Sequence, residues 1–152
     1  MTVFWLEDDW HNCTAELAHC NIKRIQVAQY DSLRKAHSAL SNISYVTSIR
    51  RFVFDVNLQI FDSEDLAIFD RPTSPEKDLI GPAFFDLLAR TIPDLFTKVI
   101  RPKSVFYTKL VAPARLDAAE KFARMHSVKI VRKQDGINAR KFITALDLEP
   151  EE

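Results

Sequence analysis

Five short apolar runs punctuate the chain, and helical periodicity fills the segments between them. Val3-Phe4-Trp5-Leu6 is continuously apolar, the pattern of a strand covered on both faces. Arg24 to Ala28 alternates polar and apolar, as an edge strand with one wet face does. The third run lies within Arg51 to Leu58 and stops abruptly on Asp55. Ser104 to Tyr107 is the fourth, ending on Thr108-Lys109, and Val128 to Val131 is an alternating fifth, ending on Arg132-Lys133. Between the runs, Trp10 to Ala18 reads as a helix. Leu33, Ala36, His37 and Leu40 fall at helical spacing behind a cap at Asp31 or Ser32. Tyr45 leads up to the third run. Gly81-Pro82 opens a helix whose stripe is Phe84, Phe85, Leu87 and Leu88. Pro93 ends it, and Asp94 to Ile100 reads as a further short one. Leu116, Ala119, Phe122 and Ala123 mark the next helix, and Asn138 to Leu146 the last.

Five strands, each followed by helix, predict a parallel α/β sheet wound on both faces. Strands two and five have edge character; strands one, three and four have central character. The order 2-1-3-4-5 satisfies both conditions with right-handed crossovers.

Composition narrows the picture. A chain of 152 residues, 47% of them apolar, suits a single domain with a real core. Residues 1–148 form that domain, with an acidic insertion at about 59–80, and 149–152 are a solvated tail. Lys+Arg and Asp+Glu number 21 each, so the basic excess of a nucleic-acid binder is missing. No apolar run is long enough to span a bilayer. The N-terminus carries no basic leader, and two cysteines give no disulfide framework; a cytoplasmic protein is expected. Only two glycines occur, which excludes glycine-rich phosphate loops. His11, Cys13, His19 and Cys20 are close in sequence, but their spacing matches no standard zinc finger.

In open α/β sheets ligands bind in the crevice at the carboxyl ends of the strands. Strands one and three are neighbours in the predicted order, so Glu7 and Asp8 meet Asp55 there. Three carboxylates cannot share a small site as bare anions: one takes a proton or a cation binds. Hard oxygen ligands and a partly open site suit Mg²⁺. Strand four adds the Thr108 hydroxyl, and strand five adds the Lys133 ammonium. Aspartate serves as a covalent nucleophile toward phosphoryl groups, and a metal and a lysine offset charge on the equatorial oxygens.

With these residues in place, the chain resembles the receiver domains of two-component response regulators. Leu6-Glu7-Asp8-Asp9 resembles the acidic turn after their first strand. Phe54-Asp55-Val56-Asn57-Leu58 resembles their phosphoacceptor segment, Tyr107-Thr108 the hydroxyl residue ending strand four, and Arg132-Lys133 the lysine ending strand five. The resemblance implies a flavodoxin-like fold. It implies a phosphorelay signal-transduction domain that accepts a phosphoryl group on Asp55 as aspartyl phosphate. Glu7, Asp8, Asp55 and the backbone carbonyl of Asn57 would hold Mg²⁺, and Thr108 and Lys133 would contact the phosphoryl group. The partners implied are a sensor histidine kinase or phosphotransfer protein and a downstream protein effector, with no direct nucleic-acid binding and no membrane insertion. A homodimer stays open. The reading is of a stand-alone signalling domain, self-phosphorylating and self-dephosphorylating, rather than a metabolic enzyme.

The chain departs from the family in four places. Lys109 follows Thr108 where the family has a small residue. Gln134 follows Lys133 where it has proline, and Ile130 stands at the aromatic switch position. Asp55 and Thr108 are 53 positions apart, longer than in typical receivers, and the extra length is the stretch Gln59 to Ile80. That stretch holds six acids against two bases, and Pro72 and Pro75 mark it as loop. It reads as a plain surface insertion or as a lid, with Lys109 a gate over the site whose charge pairs with the stretch at the crevice rim. Two other functions stay open. A pseudo-receiver would use the same fold as an unphosphorylated binding module. A haloacid-dehalogenase-like phosphohydrolase would need a second aspartate two positions after the nucleophile, where Asn57 stands.

Overall fold

The computed structural model describes residues 2–58, 62–74, 78–109, 112–132 and 139–148. Five strands form one parallel sheet in the order β2-β1-β3-β4-β5: β1 Thr2–Leu6, β2 Gln26–Tyr30, β3 Ile49–Phe54, β4 Ser104–Thr108 and β5 Lys129–Arg132. The predicted order holds. The main helices are α1 Thr14–Ile22, entered through a 3₁₀ turn at Trp10–Cys13, α2 Leu33–Leu40, α3 Ile43–Ser48, α4 Ser63–Leu66, α5 Ile80–Thr91, α6 Pro93–Leu95, α7 Pro113–Met125 and α8 Ala139–Ala145. Among the described residues no helix is long and apolar enough to cross a membrane.

Alternation along the strands divides the core in two. Phe4, Phe52, Phe54 and Phe106 face the side covered by α2, α5 and α7, where Phe84 and Phe85 meet them. Val3, Trp5, Val53 and Tyr107 face the opposite side, under α1 and α8. Phe54 is the centre of the first cluster: its ring lies 5.6 Å from Phe4, 5.6 Å from Phe85 and 6.1 Å from Phe106. The second is built on Trp5, stacked on Phe142 at 5.0 Å and edge-on to Trp10 at 4.8 Å. Rings in these arrangements add to what their buried area contributes. Residue 55 therefore follows a strand locked from both faces.

The boundaries shift in two places. β2 starts later than the polar/apolar alternation predicts, because Arg24 has a φ of 59° and ends α1 as a left-handed cap, with the Ile25 N–H donating to the Cys20 carbonyl at 2.8 Å. The approach to β3 contains α3, whose cap is Asn42: its side-chain oxygen accepts from the Tyr45 N–H at 3.2 Å. Pro93 ends α5 as expected, and helical turns resume through Lys103.

The acidic stretch is more than a surface loop. Asp62 caps α4 by accepting from the Asp65 N–H at 2.8 Å. Asp65 is buried and caps a different helix. Its carboxylate accepts from the Ser32 hydroxyl at 2.8 Å and from the backbone N–H groups of Leu33 and Arg34, both at 3.2 Å. These are donors that the first turn of a helix leaves without intrahelical partners, and a carboxylate there also meets the positive end of the helix dipole. Ser32 is the residue that caps α2 by its own side chain. Arg34 pairs with Glu64 at 3.1 Å, and Arg90 of α5 pairs with Asp70. The described part of the stretch is thus strapped to α2 and α5.

Candidate functional site

The site grows out of the strand register. Leu6 pairs with Phe54, and the ladder continues one step: the Asp55 N–H donates to the Leu6 carbonyl at 3.0 Å. Glu7 is tied to the opposite neighbour, its N–H donating to Tyr30 at 3.0 Å. The two carboxylates therefore emerge side by side at the ends of adjacent central strands. Glu7, Asp8 and Asp55 each place an oxygen so that all three lie within 4.8 Å of one another. Glu7 and Asp55 are buried; Asp8 is half-buried.

This packing has an electrostatic cost. Burial holds the Glu7 carboxyl far above the usual carboxylate range, and the charge of Asp55 and a hydrogen bond shared with it push the same way. Burial raises Asp55 as well, while the hydrogen bond from Glu7, the Asn57 N–H and the charge of Lys109 favour its ionised form. The pair shares one proton, with Glu7 the protonated partner donating to the Asp55 carboxylate. Backbone donors fix both groups: the Asp9 N–H reaches Glu7 Oε1 at 3.1 Å, and the Asn57 N–H reaches Asp55 Oδ1 at 3.2 Å. Three clustered oxygen donors, one retaining a proton for want of a positive charge, suit a hard divalent cation such as Mg²⁺.

The remaining predicted residues fall as follows. Thr108 ends β4, next to β3, and is buried. Lys133 and Gln134 lie outside the described residues, one and two positions beyond the end of β5 at Arg132. Asn57 lies two residues past Asp55, at the rim. Ile130 packs into the core on the α7 side of the sheet. Trp10 stands over Trp5 two residues from Asp8. Cys13, just before α1, and Cys20, on its buried side, are core residues, and among the described residues the acidic trio is the group arranged to hold a metal. Lys109 reaches Asp9, at 3.7 Å; among the described residues, acids of the stretch pair with Arg34 and Arg90.

Two residues at the site carried no functional signal in the sequence. Gly81 opens α5 directly on the backbone of Asp55: a Cβ built there would lie 2.1 Å from the Asp55 carbonyl oxygen and 2.9 Å from Val56 Cα. Its N–H donates to the Val56 carbonyl at 3.1 Å. Arg115, in the first turn of α7, donates to the Asn57 side-chain oxygen at 3.3 Å and to the Asp78 carbonyl at 3.2 Å. It fastens the loop after β3 to the exit of the acidic stretch. Gly81-Pro82 was readable as a helix start, but its contact partner is 26 residues earlier and left no local pattern. Arg115 is one of two arginines in α7, and nothing local sets it apart from Arg124.

No protein-family profile matches the sequence, and no curated protein matches it in sequence. Solved structures do match. The response regulator receiver protein from Pseudoalteromonas atlantica superposes with a TM-score of 0.63 at 7% identity, covering 97% of this chain and 95% of that one. The chemotaxis response regulator CheY4 of Vibrio cholerae gives 0.61 at 10%, covering 97% and 96%. The CheY-like receiver domain protein from Methanospirillum hungatei gives 0.60 at 10%, covering 97% and 90%. At these identities the likeness is one of fold: the chain folds as response-regulator receiver domains do, across nearly its whole length.

Proposed function

From this receiver fold we propose that the chain is a phosphorelay receiver in which Asp55 is the phosphoacceptor. The observation that carries the reading is the buried Asp55 carboxylate, placed at the end of a central strand within reach of Glu7 and Asp8. An Oδ of ionised Asp55 attacks the phosphorus of an acyl phosphate or phosphohistidine. The new O–P bond forms as the donor's O–P or N–P bond breaks, and the bonding pair leaves with the donor. Asp55 enters this step as the anion, the form that acts as nucleophile. Glu7, Asp8, Asp55 and the Asn57 carbonyl would hold Mg²⁺, which supplies positive charge against the phosphoryl oxygens. Thr108 offers its hydroxyl to one of those oxygens, and Lys133 offers its ammonium to another. The donor would be a sensor histidine kinase or phosphotransfer protein, and the readout a change in affinity for a protein effector.

The test uses acetyl phosphate and Mg²⁺. Intact mass is expected to rise by one phosphoryl group, and Asp55→Asn to abolish the rise. An adduct persisting in that variant would move the site elsewhere. The ion pair at the crevice mouth between Lys109 and Asp9 favours one other reading, a binding module that takes no phosphoryl group. That reading requires the wild-type mass to stay unchanged.

A further inference from the structure

Lys109 and Asp9 leave the sheet from different strands. Asp9 follows β1 and Lys109 follows β4, and β3 runs between those two strands. Neighbouring strands lie about 4.8 Å apart, so the ends of β1 and β4 are separated by roughly 10 Å, with Asp55 in the gap. The Lys109 ammonium nevertheless comes within 3.7 Å of an Asp9 carboxylate oxygen. The pair therefore crosses the crevice at the end of β3. Asp9 is held in place from the other side, accepting from Asn12 Nδ2 at 2.6 Å while its N–H binds Glu7. Among the described residues, the charge of Lys109 also favours ionised Asp55. One ammonium thus serves two carboxylates, one in contact and one within its field.

We infer that Lys109 is a further specificity-determining residue for phosphoryl transfer: it is held across the crevice by Asp9 before transfer and moves to the phosphoryl group on Asp55 afterwards. The inference rests on Asp55 being the phosphoacceptor. Transfer replaces a carboxylate of one negative charge by an acyl phosphate of about two, with three acceptor oxygens. Asp9 keeps its single charge and its hydrogen bond from Asn12. A compact ammonium on a flexible stem goes to the denser charge. The side chains of Lys109 and Asp9 are 38% and 41% exposed, so their separation is easily reversed. Before transfer Asp9 competes with the incoming phosphate for the same ammonium. The pair thereby restrains small donors, while a protein donor carrying its own charges can displace it.

The experiment is a double-mutant cycle on the full chain with acetyl phosphate and Mg²⁺, following adduct mass over time. The affinity for beryllofluoride is followed in parallel by tryptophan fluorescence. Lys109→Ala is expected to slow adduct formation and weaken beryllofluoride binding about two- to fivefold, the range open to an exposed ion pair. Asp9→Ala is expected to do the reverse by a similar factor. In the Lys109→Ala background Asp9→Ala should change nothing, because its effect acts through the lysine. Lys109→Arg should keep most of the wild-type rate. Thermal melting of each variant, expected to match the wild type for such exposed positions, separates these effects from misfolding. Single variants that behave as wild type would overturn the swap, as would an Asp9→Ala effect that survives without Lys109; in both cases an adduct on Asp55 leaves the function standing. No adduct on the wild-type protein would overturn both.

Discussion

Replacing Gly81 by alanine tests how closely α5 is laid on the Asp55–Val56 backbone at the end of β3. The added methyl would lie 2.1 Å from the Asp55 carbonyl oxygen and 2.9 Å from Val56 Cα. Both neighbours are backbone, and Asp55 is pinned by the ladder bond of its N–H to Leu6. No rotamer change can relieve the clash, so the first turn of α5 must lift. Forced overpacking of this kind costs about 1–3 kcal/mol. Lifting the turn also strains the bond from the Gly81 N–H to the Val56 carbonyl, worth about 0.5–1.5 kcal/mol. Alanine recovers up to about 1 kcal/mol through its better helix propensity. The net expectation is a loss of about 1–3 kcal/mol, or roughly 3–10 °C in melting temperature for a domain of this size. Circular-dichroism melting and urea unfolding measure it. The variant should also take phosphate more slowly, because lifting the turn shifts the Asp55 backbone. A Gly81→Ala protein that melts with the wild type and phosphorylates at the wild-type rate would refute the close approach.

Three further expectations follow from the same geometry. Glu7 and Asp55 bind protons more tightly folded than unfolded. Their contribution to the stability of the metal-free protein is therefore fully present below the ordinary carboxylate values, near pH 4, and declines as pH rises through their raised folded values. Urea midpoints measured from pH 5 to pH 9 should fall with pH, and Glu7→Gln should flatten that slope. Mg²⁺ should offset the loss, raising the melting temperature more at pH 8 than at pH 5; equal gains at both would contradict the proton-sharing account. Asp65→Ala removes three hydrogen bonds at the start of α2 and should cost about 1–3 kcal/mol in urea unfolding; a loss under about 0.5 kcal/mol would mean that Ser32 alone suffices as cap. Tryptophan emission should titrate with Mg²⁺, since Trp10 lies two residues from Asp8, and Asp8→Ala should weaken the titration.

The strand order was legible because burial writes itself into short runs: continuous at Val3 to Leu6 and Phe52 to Phe54, alternating at the two edges. Carboxylates that end such runs are conspicuous, so Glu7, Asp8 and Asp55 could be brought together before any coordinates. Local caps were only partly legible. Ser32 was one of two candidates beside Asp31, Asn42 was hidden before a segment rich in β-branched and aromatic residues, and the left-handed Arg24 left no mark on the alternation it cut short. What the sequence could not carry is contact between distant segments. The row of acids from Asp62 to Asp70 shows its charge but not that Asp65 caps a helix 32 residues earlier. Lys109 shows a departure from the receiver pattern, and only the structure pairs it with Asp9. Gly81 and Arg115 act on residues that the chain places far from them in sequence.

The central claim is that Asp55 carries the phosphoryl group. Incubation with acetyl phosphate and Mg²⁺, followed by borohydride reduction, converts an aspartyl phosphate into homoserine, which peptide mass mapping places at a single residue. The account predicts that conversion at position 55, and none when the incubation omits the phosphodonor. Conversion at another carboxylate, or none on a folded wild-type protein, would contradict it.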